Sequence, residues 1–174
     1  KKNKMNLLNV LIFLFIAYLV LVMFIYFYQR KLLYHPSENN YLDETNLNHK
    51  IEKIFVESDT QLISWYYNKN KSYKTSLFFH GNAGRLDNRV YKLNELAKLD
   101  INYLIVAYRG FSGNQGKLSE KGIYKDSNAA KKWLNENGVE DKNIILYGES
   151  LGTAVAVDLA SKNNFAGIIL ESPF

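Results

Sequence analysis

Apolar and polar positions divide this chain into two unlike parts. Residues 7–28 contain no charged side chain, and nearly every residue there is apolar or aromatic. As a helix the run is about 33 Å long, enough to cross the hydrocarbon core of a bilayer. No face of it is polar, which argues against a buried helix of a soluble domain. Residues 32–50 are polar, rich in Asn and Glu, and include Pro36, so they read as a linker. Beyond them the apolar periods shorten. Residues 51–56 and 62–67 read as two strands around Ser58-Asp59-Thr60. Residues 76–79 form a short apolar strand that runs into His80-Gly81. Helical spacing puts Leu86, Val90, Leu93 and Ala97 on one face of residues 85–99. A continuous apolar strand follows at 103–107, then a glycine-rich loop at 109–117. Ser119 caps a helix that runs to about Asn137 with Ile123, Ala130, Trp133 and Leu134 on its apolar face, and Gly138 suits its end. Residues 144–147 and 166–170 read as buried strands on either side of a helical run at 153–160. From residue 76 on, strands alternate with helices. That predicts an α/β architecture, a mainly parallel sheet with helices on both faces.

Charge follows the same division. The chain of 174 residues carries 22 Lys and Arg against 17 Asp and Glu, a net charge of +5. Lys1, Lys2, Lys4, Arg30 and Lys31 account for the whole excess, because residues 1–31 hold no acid. The basic balance therefore belongs to the flanks of the apolar run and gives no reason to expect a nucleic-acid partner. The expected partner of residues 1–31 is the lipid bilayer. A cleaved signal peptide would have a shorter apolar region and end in small residues, whereas this run ends Tyr26-Phe27-Tyr28-Gln29-Arg30. The reading is an uncleaved single-pass anchor. Basic residues outnumber one another across the span by only one or two, with the larger count before it. This favours a cytoplasmic N-terminus with the rest of the chain outside. There is no Cys, hence no disulfide, thiolate metal site or cysteine nucleophile. Neither GxxxxGK[ST] nor GxGxxG occurs, so a kinase or nucleotide binder is excluded, and no cofactor or metal is expected.

Candidate chemistry centres on Gly148-Glu149-Ser150-Leu151-Gly152. The pattern G-x-S-x-G alone arises by chance in roughly 5% of chains of this length. Here they join an apolar strand directly to an Ala- and Val-rich helix, which is the setting of a nucleophile elbow. The turn holds the serine in a strained conformation, and glycines two before and two after it leave room for the chain to reverse. Ser150 Oγ then stands at the tip of a sheet and the N-terminus of a helix, where negative charge is favoured. Acyl transfer needs two N–H donors for the oxyanion. Leu151 N–H is one candidate. His80-Gly81-Asn82-Ala83-Gly84 leaves an earlier strand, and its Asn82 N–H is the other. His80 is expected to hold this loop rather than to act as the base.

At these residues the chain resembles the α/β-hydrolase superfamily, and within it the membrane-anchored α/β-hydrolase-domain proteins related to serine aminopeptidases and protein depalmitoylases. The matching pieces are LLYHPS (32–37), FFHGNAG (78–84), AYRGFSGNQGKLSEKGIYKDSNAAKKWL (107–134), LYGESLGTAVAVDLA (146–160) and ILESPF (169–174). The resemblance implies a Ser150 nucleophile, an oxyanion hole at Asn82 and Leu151, and a small acyl or acylated-protein substrate. It makes Arg109 a loop-ordering ion pair and Asp126 structural. In such hydrolases the triad runs Ser, Asp, His. His35, His49 and His80 all precede Ser150; of the acids after it, Asp158 lies about two turns into the following helix, a poor triad position, and Glu171 ends the next strand and matches the family's ESPF. The resemblance thus divides the chain into an anchor (1–31), a linker (32–50) and the N-terminal part of a hydrolase domain (51–174), about strands 1–6 of the fold. The expectation is a fragment with its catalytic Asp and His missing. The alternative is a non-catalytic binding module or inactive fragment. A dehalogenase or epoxide hydrolase would carry Asp in place of Ser150.

Overall fold

A computed structural model describes residues 6–37 and 46–173. Lys1, Lys2 and Lys4 of the basic flank, the middle of the linker (38–45) and Phe174 lie outside the described residues. The chain forms two units, residues 1–34 and 35–174. The first is helix α1 (Leu7–Leu33), five residues longer than the uncharged run because Gln29, Arg30 and Lys31 continue it. Its most apolar 18-residue stretch has a mean hydropathy of 3.0, none of its residues is buried, and it is long and apolar enough to cross a membrane. An anchor and a signal sequence both meet that description.

The second unit is built on six strands: β2 (Glu52–Glu57), β3 (Gln61–Tyr67), β4 (Lys74–Phe79), β6 (Ile101–Val106), β7 (Ile144–Glu149) and β8 (Gly167–Glu171). Their order is β2-β3-β6-β4-β7-β8. β2, β3 and β6 pair antiparallel, and β6, β4, β7 and β8 run parallel. Helices α3 (Glu120–Glu136) and α4 (Leu151–Ala160) pack on each other and on the sheet, and α2 (Val90–Lys98) packs on β6. β4 and β6 are buried on both faces, which is why they read as unbroken apolar runs. Trp65, Phe78, Phe79, Tyr103 and Leu104 are fully buried among them. Ser119 Oγ accepts from Gly122 N–H at 3.2 Å and caps α3, whose C-terminal side ends at Gly138 with φ +84°.

Three expectations need correcting. Residues 85–99 are not one helix. Leu86–Arg89 form a 3-10 turn before α2, and this turn faces the loop at 80–84. β8 is not buried: Ile168, Ile169 and Leu170 are 40–50% exposed, because among the described residues β8 pairs with β7 alone. The linker reading also fails at both ends. Leu32 and Leu33 belong to α1, and His35–Pro36 (β1) pair in parallel with Ala83–Gly84 (β5). Asn94 binds Asn46 O and Asn48 N–H through its carboxamide, while His49 Nε2 lies 2.6 Å from Tyr103 Oη. Polar composition therefore concealed side-chain and backbone pairings made with distant parts of the chain.

Candidate active site

From β4 the chain crosses to β6 on one side and then returns past β4 to β7 on the other. Connections leaving the carboxyl ends of β4 and β7 diverge there, which opens a crevice at that end of the sheet. Residues 80–84 leave β4 at this point and residues 148–152 leave β7. The topology thus brings together two segments nearly seventy positions apart in sequence.

The elbow is formed by backbone contact. Ser150 has φ 50° and ψ −115°, a conformation that costs an L-residue about 1–3 kcal/mol. It is held by Ser150 N–H to Glu171 O at 2.9 Å, and by Thr153 N–H and Oγ1 to Ser150 O at 2.8 and 2.6 Å. A Cβ on Gly148 would lie 2.6 Å from Thr153 Cα, and one on Gly152 would lie 2.6 Å from the carbonyl carbon of Phe79. Both glycines are therefore required by close approach, as the motif predicts. Because Ser150 N–H is committed to Glu171, Leu151 N–H, at the first position of α4, is the donor the elbow presents.

The facing loop rests on contacts from elsewhere. His80 is buried. Its Nδ1 donates to Gly81 O at 2.7 Å and its Nε2 accepts from Tyr108 N–H at 3.4 Å. Burial first, and the nearby Arg89 charge second, push its pKa down to about 3, so the ring is neutral. Tyr108 Oη donates back to His80 O at 3.1 Å. Asn82 O accepts from His35 N–H at 2.8 Å, and Gly84 O accepts from Ser37 N–H at 3.3 Å, so residues 35–37 strap the loop. A Cβ on Gly81 would stand 3.5 Å from Ser150 Cβ, which puts the loop in van der Waals reach of Ser150.

Arg89 escaped the sequence reading, which placed it on a helix. Its side chain is 9% exposed. Nη1 donates to Ala83 O at 2.7 Å, and Nε donates to Glu149 Oε2 at 3.3 Å. Nothing in the local sequence signals this pairing, since its partners lie on both motifs. Beside it, Lys92 binds both carboxylate oxygens of Glu171 at 2.7 Å, and Tyr147 Oη donates to Glu171 at 2.5 Å. Lys92 first and Tyr147 second hold the Glu171 carboxyl below its ordinary pKa. Arg109 makes a buried pair with Asp126 at 2.7 Å and reaches Asp59 and Ser58 as well. Both keep the loop at 109–117 in place and neither touches Ser150. Among the described residues none of the three histidines bonds Ser150 Oγ, and no cluster of His, Asp and Glu suits a metal ion.

Comparison with known proteins adds the lineage. Residues 39–168 match the model of the family described as Chlamydia CHLPS protein (DUF818). The chain belongs to this family. An uncharacterized protein of Mycobacterium tuberculosis is 35% identical over 158 residues, covering 88% of this chain and 56% of its own. Human alpha/beta hydrolase domain-containing protein 17C is 42% identical over 101 residues, 57% of this chain and 31% of its own. Among solved structures, an alpha-beta hydrolase from Vibrio vulnificus is 29% identical with TM-score 0.63, covering 72% of this chain and 46% of that one. The Pyrococcus furiosus esterase Pf2001 is 23% identical with TM-score 0.67, covering 81% and 58%. The family member described here thus has the α/β-hydrolase fold, as its motifs predicted. The chain spans about half the length, or less, of the curated relatives it matches.

Proposed function

We propose that the protein is a membrane-anchored serine hydrolase that cleaves an acyl ester, thioester or amide. The observation that carries this is Ser150 in a strained strand-to-helix turn, with the 80–84 loop in contact with it. Ser150 Oγ attacks the acyl carbonyl carbon, and the carbonyl oxygen takes up the negative charge between Leu151 N–H and Asn82 N–H. The serine proton passes to a histidine base that then protonates the leaving group, and water repeats the sequence on the acyl-enzyme. His80 does not fill that role, since both its ring nitrogens are engaged and its pKa lies near 3. We assign base and acid to the additional length that the relatives have. Helix α1 is the anchor and the bilayer its partner, with the substrate a small acyl compound or an acylated protein and no cofactor.

Fluorophosphonate labelling of the full-length protein tests the reading. The probe should modify Ser150 and neither Ser112 nor Ser172, and Ser150→Ala should lower ester turnover by about 10³-fold or more. Labelling that survives the substitution removes Ser150 from its role. Absence of labelling in the unsubstituted protein favours a non-catalytic binding module. Retention in the pellet on alkaline carbonate extraction tests the anchor separately.

A further inference from the structure

Four features outside the proposed chemistry stand out. The exposed apolar edge of β8 and the groove between α2 and β7 have nothing in the structure to say what covers them. A 260 Å³ crevice lined by Asn68, Thr75, Asn102 and Asn143 lies at the opposite end of the sheet. Thr75 Oγ1, a buried oxygen without a partner among the described residues, is sealed from it. The fourth feature is the guanidinium of Arg89.

We propose that Arg89 is a positioning residue for the oxyanion hole, which sets the distance between the loop carrying Asn82 and the elbow carrying Ser150 and Leu151. The proposal rests on the serine-hydrolase reading above. One planar group bonds to both halves of the site: Nη1 to Ala83 O, the residue after Asn82, and Nε to Glu149, the residue before Ser150. Nη1 also reaches Arg85 O at 3.4 Å, so the guanidinium sits inside the bend of the loop. The loop's glycines make room for it. A Cβ on Gly81 would lie 3.4 Å from Nη2, and one on Gly84 3.0 Å from Nη1. A guanidinium has the fixed fork this bridge needs, and an ammonium does not. Lys92 lies 3.5 Å from Glu149, so some positive charge remains beside that carboxylate without Arg89. Its hydrogen bonds, however, go to Glu171 and none to the loop. Charge and geometry are thus separable at this site. Oxyanion donors must lie within about 2.7–3.1 Å of the developing charge, and a displacement of 1 Å costs about 100-fold in rate. The hydrogen bonds of Arg89 run to Ala83 O, Arg85 O and Glu149, so it acts through the placing of the two donors and its effect is expressed in kcat.

The experiment measures kcat, KM, thermal melting and the fluorophosphonate labelling rate of Ser150 in the full-length protein. The forms compared are the unsubstituted protein, Arg89→Met, Arg89→Lys and Glu149→Gln. Arg89→Met should lower kcat by about 100-fold, with KM changed less than about 3-fold and slower labelling of Ser150. Arg89→Lys should restore only a small part of kcat, since it returns the charge without the fork. Adding Glu149→Gln to Arg89→Met should cost little more than Arg89→Met alone, because one bridge is broken twice. If Arg89→Met does not fold, Glu149→Gln alone carries the test, with a smaller loss of kcat at unchanged KM. Wild-type kcat in either variant overturns the proposal, as does full rescue by lysine or a loss that matches the fraction unfolded. An unsubstituted protein that neither labels nor turns over defeats the hydrolase reading and this inference together. A reactive wild type with indifferent variants defeats this inference only.

Discussion

Residues 148–152 and 80–84 face each other across the carboxyl ends of β7 and β4, and each carries two glycines. The elbow glycines press against backbone: Gly148 against Gly152 and Thr153, Gly152 against Phe79 and His80. The loop glycines press mainly on side chains: Gly84 on Asn88 and Arg89, Gly81 on Arg89 and Ser150. Backbone in a packed sheet cannot move aside, whereas a side chain can rotate. The elbow is therefore a rigid part, packed against fixed backbone of its own helix and of residues 79–80. The loop takes its shape from what is placed around it, from the strap at 35–37 to Glu149.

The comparison breaks most visibly at Gly152. Gly152→Ala would drive a methyl into the Phe79 carbonyl and separate α4 from β4. A loss of about 3 kcal/mol or more is expected in thermal melts of the detergent-solubilised protein, beyond ordinary overpacking because the obstacle is backbone. Survival with less than about 1 kcal/mol lost would mean the two strands' ends are not locked together.

The next effect comes from pH and bears on the loop. His80 is neutral in the fold with its pKa lowered to about 3, against about 6.5 when unfolded. Below 6.5 the unfolded chain binds a proton that the folded chain refuses. Stability from this group is thus complete above pH 6.5 and falls as pH drops toward 3, by at most about 1.4 kcal/mol per pH unit. Chemical denaturation at pH 7, 6, 5 and 4 should show the fall, and His80→Asn, which keeps a donor near the Nδ1 position, should remove this component. An unchanged slope would assign it to other groups.

Smallest are the loop glycines themselves. Gly84→Ala meets φ +81° and the Asn88 carboxamide, and should cost about 2 kcal/mol as that side chain turns away. Gly81→Ala finds neighbours at 3.4–3.6 Å and should change stability by less than about 1 kcal/mol in either direction. Equal losses at Gly152, Gly84 and Gly81 would erase the distinction between a rigid elbow and a supported loop.

The sequence by itself determined the elements and the elbow. Unbroken apolar runs mark β4 and β6 because those strands are covered on both faces, and Ser119 and Gly138 bound α3 because helix ends need caps. Gly148, Ser150 and Gly152 mark the elbow as a motif; the crowding at Gly148 is decided within one strand-turn-helix unit, while that at Gly152 comes from Phe79 and His80 of the neighbouring strand. Tertiary structure decided the rest. It placed residues 80–84 against Ser150 by putting β4 beside β7, and it gave Arg89 partners at Ala83 and Glu149. It also engaged both nitrogens of His80. Period and turn sterics act over a few bonds and leave a trace in every short window of sequence. A hydrogen bond between residues 89 and 149 exists only once the sheet has ordered its strands, and no local pattern records it.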